Sequence, residues 1–187
     1  MGAAGIRFRR GTVHDLDALR PLWVGVHHQH QASMPELAPY VTDEATWTER
    51  RKLYVQVLAK PDTILLLAYD DAAADGPALV GYGLAHVVQT GDTWIADTWR
   101  RGERIGEIES LAVSPSHRGH GIGTALLEQL ESTLAAIGVE DLILGVVAGN
   151  VAAQRLYARR GYLPTWLYMS RSPSKRSGVR SPGLGDL

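Results

Sequence analysis

The stretch Glu107-Ile108-Glu109-Ser110-Leu111-Ala112-Val113, then Ser114-Pro115-Ser116-His117, then Arg118-Gly119-His120-Gly121-Ile122-Gly123, runs directly into Thr124-Ala125-Leu126-Leu127. Its first segment is short, ends in the apolar run Leu111-Ala112-Val113 and is bounded by Ser-Pro, which predicts a strand over Ile105 to Val113. After the glycines the apolar residues recur at helical spacing, which predicts a helix from Gly121 to Ile137. Strand, glycine-rich loop, helix is the order of a phosphate site. Alternate glycines let the backbone turn tightly with its N–H groups outward, and the helix N-terminus adds partial positive charge. Each such dipole interaction supplies only about 0.3 to 1 kcal/mol when exposed, so a diphosphate here would also need amide hydrogen bonds and Arg118.

Outward from this stretch, Gly5 to Thr12 reads as a first strand. Asp15 to about Ala32 reads as an amphipathic helix whose inward stripe is Leu16, Leu19, Trp23, Val26 and His30. Pro35 and Pro39 make Met34 to Thr42 a loop, and Asp43 to Lys60 is a second helix stopped by Pro61. Thr63 to Tyr69 and Ala78 to Gln89 are strands, and Gly81 and Gly83 mark a bend or a close backbone approach. Thr90 to Gly106, with Trp94, Trp99, Arg100, Arg101 and Arg104, is too long for a hairpin and reads as an insertion beside a pocket. Beyond the helix come a strand over Glu140 to Ala148, a helix over Asn150 to Arg160 and a final strand over Tyr162 to Met169. Residues 1 to 170 are expected to form one domain. Arg171 to Leu187, rich in Ser, Pro, Gly and Arg, reads as a flexible tail.

Composition limits the chemistry. The 187 residues carry a formal charge of -1 and are 45% apolar, so no global field favours nucleic acid or an anionic membrane. Without cysteine there is no disulfide, no thiolate metal site and no protein thiol to carry an acyl group. No apolar run matches a signal peptide or a membrane span, which makes the cytoplasm the expected compartment. His27, His28 and His30 sit too close along one helix to face one ion, and no metal is expected. His30 closes the apolar stripe, while His27 and His28 read as surface or acceptor-pocket residues.

Two nucleotide motifs fail on spacing. A dinucleotide fingerprint needs a third glycine where Thr124 stands, and a Walker loop needs Gly-Lys before Ser or Thr. Arg118 to Gly123 instead resembles the R-x-x-G-x-G signature of the GNAT (GCN5-related) N-acetyltransferases. Asn150-Val151-Ala152-Ala153-Gln154-Arg155-Leu156-Tyr157, followed by Gly161-Tyr162, is similar to that family's second motif. The resemblance is close over residues 105 to 169. It implies an α/β (α+β) GNAT fold: a mixed, twisted sheet of six or seven strands with helices on both faces, opened where acetyl-CoA enters.

The resemblance also implies roles. The backbone of Leu111, Ala112 and Val113 would pair with the pantetheine arm, and an amide near Leu111 would polarise the thioester. Arg118, Gly119, His120, Gly121, Ile122, Gly123 and Thr124 would hold the pyrophosphate, with Asn150, Ala153 and Tyr157 completing the donor site. Tyr157 would protonate the leaving thiolate, or else be a packing aromatic. The resemblance further implies an N-acetyltransferase that passes the acetyl group directly to the primary amine of a small molecule. A protein N-terminal or lysine acetyltransferase and a non-catalytic acyl-CoA-binding module are the alternatives, and a homodimer is left open.

A protonated amine needs a base. Glu109, then Glu107, are the candidates, because equal parity puts them on one side of the strand about 6 to 7 Å apart, with Leu111 unless a bulge intervenes. Alternatively they are solvated, or ion-paired with Arg104 or Arg101. Tyr40, Trp47, Trp94 and Trp99 are candidate walls of the acceptor site, or ordinary core residues.

Overall fold

The computed structural model describes residues 5–93, 95, 99 and 101–170; the expected tail and Trp94 lie outside them. β1 (Ile6–Arg10) is followed by α1 (Arg20–Ser33), α2 (Asp43–Leu58), β2 (Ile64–Asp70), β3 (Ala78–Gln89) and β4 (Arg104–Val113). α3 (Ile122–Ala136), β5 (Leu142–Leu144) and α4 (Val151–Arg159) complete the order. The strands form one sheet in the order β1-β2-β3-β4-β5, antiparallel except for the parallel β4–β5 pair.

The first helix begins later than its apolar stripe suggests. Val13–Leu19 is a 3-10 helix, with Thr12 and Asp15 forming a reciprocal cap, and the α-helix starts at Arg20. Pro21 accounts for the break. It has no N–H to give to a preceding turn, so an α-helix can hold it only in its first turn. The stripe still packs inward, with Leu16, Leu19 and Trp23 buried.

Apolar layers cover both faces of the sheet. On one, Leu16, Leu19, Trp23, Trp47, Tyr54 and Val57 from the 3-10 helix, α1 and α2 meet Leu65, Leu67, Tyr82 and Leu84. On the other, Ile122, Leu126, Leu127, Leu130 and Leu134 of α3 meet Ile64, Leu66, Val80, Ala85 and Ile108. The expected close approach at Gly83 is present: a Cβ there would lie 2.8 Å from Leu130 Cδ1, so its absence lets α3 lie low on the sheet. Among the described residues, no helix is long and apolar enough to cross a membrane.

Among the described residues the sheet has five strands, not the six or seven expected. Glu140 to Ala148 is reduced to Leu142–Leu144, because β5 pairs with β4 only at Gly106, Glu107 and Ile108 and finds no ladder partner beyond them. Tyr162 to Met169 forms no strand. Pro164 within it cannot donate to a ladder, and Leu163, Leu167, Tyr168 and Met169 stay exposed.

Leu130 touches both the sheet and the helix core and is fully buried. Leu130→Ala is expected to destabilise the fold by about 2 to 5 kcal/mol with little change in urea m-value, measured by equilibrium denaturation.

Candidate active site

β4 is where the chemistry-bearing residues collect. Against β3 its register runs Tyr82↔Ala112, Gly83↔Leu111 and Leu84↔Ser110, then jumps to Ala85↔Ile108 and His86↔Glu107. Glu109 is the extra residue of a β-bulge. Because an inserted residue shifts side-chain parity by one, Glu109 and Ser110 both face the α1–α2 side. Glu109 reaches Arg50 of α2, and Ser110 meets the Tyr82 hydroxyl. Leu111 packs instead with the α3-side core. The expectation that the two glutamates share a face holds. The expectation that Leu111 shares it does not, for the bulge turns Leu111 over.

The bulge gathers a polar cluster. Arg50 Nη1 donates to Glu109 Oε1 at 2.5 Å. Its guanidinium lies 3.8 Å from the Trp23 ring centroid and 5.6 Å from that of Tyr54, so two aromatic faces and a carboxylate hold it. On the other side of Glu109, His86 Nε2 lies 3.9 Å from Glu109 Oε2 and 3.5 Å from Glu107 Oε2. Burial pushes the Glu107 carboxyl above the usual carboxylate range; His86 and Lys60 oppose that shift and Glu109 reinforces it. Beneath the cluster Tyr54 and Tyr82 share a hydroxyl hydrogen bond of 2.9 Å, and burial raises both phenols. The donor atoms of His86, Glu107 and Glu109 lie within 4.8 Å of one another, but the Arg50 guanidinium already supplies the cation that Glu109 needs.

The surface partners considered for these glutamates are engaged elsewhere, Arg101 with Asp141 and Arg104 with Asp62. Arg50, His86, Tyr54, Tyr82 and Ser110 were not singled out from sequence. The bulge shifts the strand register that brings His86 opposite Glu107, and no local pattern announces that register.

One edge of β4 is free. Beyond Ile108 it has no partner on the β5 side among the described residues, so the backbone from Glu109 to Val113 faces an opening between the two strands. At the end of that edge, Gly119 and Gly121 both have φ of +81°, which L-residues with a Cβ rarely adopt. Gly121 caps α3 without a side-chain hydrogen bond. Ala125 is the first amide of α3 to find a backbone acceptor, the Gly121 carbonyl. The first-turn N–H groups of Ile122, Gly123 and Thr124 are left pointing out of the helix. His120 is exposed. The exposed Arg118 contacts the Val113 carbonyl at 3.2 Å and Gln29 at 3.3 Å.

Across the opening, Asn150 caps α4 by accepting from the Ala153 amide at 3.2 Å, and Ala153 is half-buried. Tyr157 packs against the α3-side core and meets Tyr162 edge-on at 5.8 Å, and burial raises its phenol. Its hydroxyl has no hydrogen-bond partner among the described residues.

The other candidates separate by packing. His27 is buried, with Nε2 3.0 Å from the Val41 carbonyl, so it is a core histidine rather than a surface one. His28 is exposed beside Asp43, and His30 is half-buried edge-on to Trp23, where burial lowers its pKa. Trp47 belongs to the core. Tyr40 donates to the Met34 carbonyl at 2.6 Å, and Trp99 packs edge-on to Trp166 at 6.4 Å.

Known proteins share this fold. A GCN5-related N-acetyltransferase from Ralstonia eutropha superposes with a TM-score of 0.68 at 22% identity, covering 91% of this chain and 99% of that one, which shows the fold. Thialysine N-epsilon-acetyltransferase of Bos taurus is 33% identical over 86 residues, 46% of this chain and 45% of the relative. A mycothiol acetyltransferase of Amycolatopsis mediterranei is 38% identical over 61 residues, 33% of this chain and 20% of the relative. The chain therefore spans less than half the length of these curated relatives. The sequence model of the acetyltransferase (GNAT) family matches residues 23–162, most of the chain, with the bulged strand, the glycine loop and the Asn150 helix all inside it. The chain belongs to the GNAT family.

Proposed function

We propose that this protein is an acetyl-CoA-dependent N-acetyltransferase that moves the acetyl group directly to a primary amine of a small molecule within a ternary complex. The observation that carries the reading is the half-free β4: its open backbone edge, its bulged carboxylates and the glycine loop at its end lie along one strand. The backbone of Leu111 to Val113 pairs with the pantetheine arm, and an amide of this segment donates to the thioester oxygen as charge develops. Such a donor is worth on the order of 100- to 1,000-fold in rate. Arg118 and the amides from Gly119 to Thr124 hold the pyrophosphate; for Arg118 this means exchanging its contact with Gln29 for the phosphate.

Removing a proton from a lysine-like amine at neutral pH costs about 4 to 5 kcal/mol, so the acceptor needs a base. Glu109 is the first candidate from sequence, but its Oε1 is already engaged by Arg50 at 2.5 Å. Glu107, raised by burial and without such a partner, is the better base. Arg50 neutralises Glu109 directly, while Glu107 has no direct cationic partner among the described side chains and feels Lys60 only electrostatically, so its carboxylate is left to draw an ammonium group into the cleft. Once deprotonated, the amine nitrogen attacks the thioester carbon. The tetrahedral adduct collapses to the amide: the thiolate leaves with a proton from Tyr157, and the second proton lost by the amine nitrogen passes through water to restore the phenol. Burial holds that phenol in its protonated form until the step needs it.

The small-molecule acceptor rests on the half-buried carboxylate cluster and on the named acceptors of the thialysine and mycothiol acetyltransferases. Two outcomes are expected. Gly121→Val, which forces a β-branched residue into a left-handed conformation, weakens CoA binding at least tenfold by isothermal titration calorimetry while Glu107→Gln binds CoA as wild type does. In a thiol-release assay over an amine panel, Glu107→Gln and Tyr157→Phe each lower kcat by about 100-fold or more. If wild type binds CoA but acetylates neither small amines nor peptides, the chain is a binding module.

A further inference from the structure

His86 is a buried ionisable side chain facing both carboxylates that the reaction as written leaves idle. It is 4% exposed, and its Nδ1 has no hydrogen-bond partner among the described residues. That is costly unless the tautomer is arranged to suit: an orphaned N–H in a dry interior is worse than an orphaned lone pair. The other nitrogen decides it. Nε2 faces carboxylate oxygens of Glu107 at 3.5 Å and Glu109 at 3.9 Å. Ionised carboxylates only accept, so a bare Nε2 would set lone pair against lone pair. The proton therefore sits on Nε2, and the bare Nδ1 points into the core. In this tautomer the ring can give a hydrogen bond to the cleft and cannot take a proton from it.

Every charged or titratable neighbour of Glu107 fits the same picture. Glu109 from β4 repels its charge, Lys60 beyond α2 attracts it, and Arg50 of α2 is occupied by Glu109. Tyr54 and Tyr82 hydrogen-bond one another, and Tyr82 also meets Ser110. No other described side chain offers Glu107 an N–H or O–H donor close enough to fix its orientation.

We infer that His86 is a positioning residue for the acceptor site, whose Nε2–H, facing Glu107 at 3.5 Å and Glu109 at 3.9 Å across the β4 bulge, holds the Glu107 carboxylate in the cleft by electrostatic attraction and sets the pH at which it can act as base. The inference rests on the proposed acetyl transfer for its kinetic consequences, but not for its effect on Glu107. A ring whose N–H faces the ionised carboxylate favours that form electrostatically, so removing it moves the protonation of Glu107 to higher pH. The acid limb of kcat/KM for the amine, which reports the base in free enzyme, must move the same way.

The test compares wild type with His86→Leu, which fills the site without a donor, and His86→Gln, which keeps an N–H. Carbon-13 NMR follows the Glu107 carboxyl through a pH titration without any substrate, with Glu107→Gln used to assign the signal. The Glu107 midpoint is expected to rise in His86→Leu and to return toward wild type in His86→Gln. In turnover assays His86→Leu is expected to lose about tenfold or more in kcat with an unchanged KM for acetyl-CoA, its acid limb displaced upward, and His86→Gln to recover part of both. If His86→Leu fails to fold, His86→Met, which also lacks a donor, takes its place: a raised Glu107 midpoint supports the inference and an unmoved one overturns it. An unmoved midpoint in folded His86→Leu also overturns it, as does loss of stability with an unmoved acid limb. Wild-type protein that turns over no amine would refute the proposed reaction and leave the NMR result to judge His86 alone.

Discussion

One extra residue in one strand organises the site. Without the bulge at Glu109, strict alternation along β4 would put Ser110 on the opposite face from the glutamates and Leu111 on theirs. With it, Glu107, Glu109 and Ser110 all turn toward α1 and α2, where Arg50 and the two tyrosines meet them. The bulge also bends β4 at the point where its pairing to β5 stops. The polar cluster and the open edge thus share a single cause.

That arrangement contributes more to orientation than to stability. A carboxylate and a guanidinium taken partly out of water recover little net free energy from each other, even when the geometry is good. What Arg50 supplies is direction: wedged on Trp23, it fixes one oxygen of Glu109 and leaves the other facing His86. The stability of the frame comes instead from the apolar layers, above all the α3 leucines pressed onto the glycines of β3. A rigid, dry frame lets a few polar groups be held in one geometry, and catalysis by positioned donors requires that.

How much of this the sequence disclosed follows from how local each signal is. The glycine loop, the helix after it and the Asn150 cap are written in consecutive residues, and they lie where the pattern put them. The core stripe of Leu16, Leu19 and Trp23 was legible, but the helix start was displaced because Pro21 outranks periodicity. The last two strands were overextended. Short apolar runs in Glu140 to Ala148 and Tyr162 to Met169 satisfy a strand pattern, while a strand also needs a partner, and that is a property of the whole sheet. Glu107 and Glu109 were visible as a pair. Their partners Arg50 and His86 lie 59 and 21 positions away from one or the other, and only the bulged register brings them in.

The central claim is that acetyl-CoA lies along the free edge of β4 with its pyrophosphate on the amides before α3. Backbone amide NMR with CoA added to the isotope-labelled protein tests this most directly. The account predicts that the largest shifts fall on Leu111 to Val113 and on Gly119 to Thr124, with small ones in β1 and β2. Saturable CoA binding that leaves both segments unperturbed while shifting amides elsewhere would contradict it.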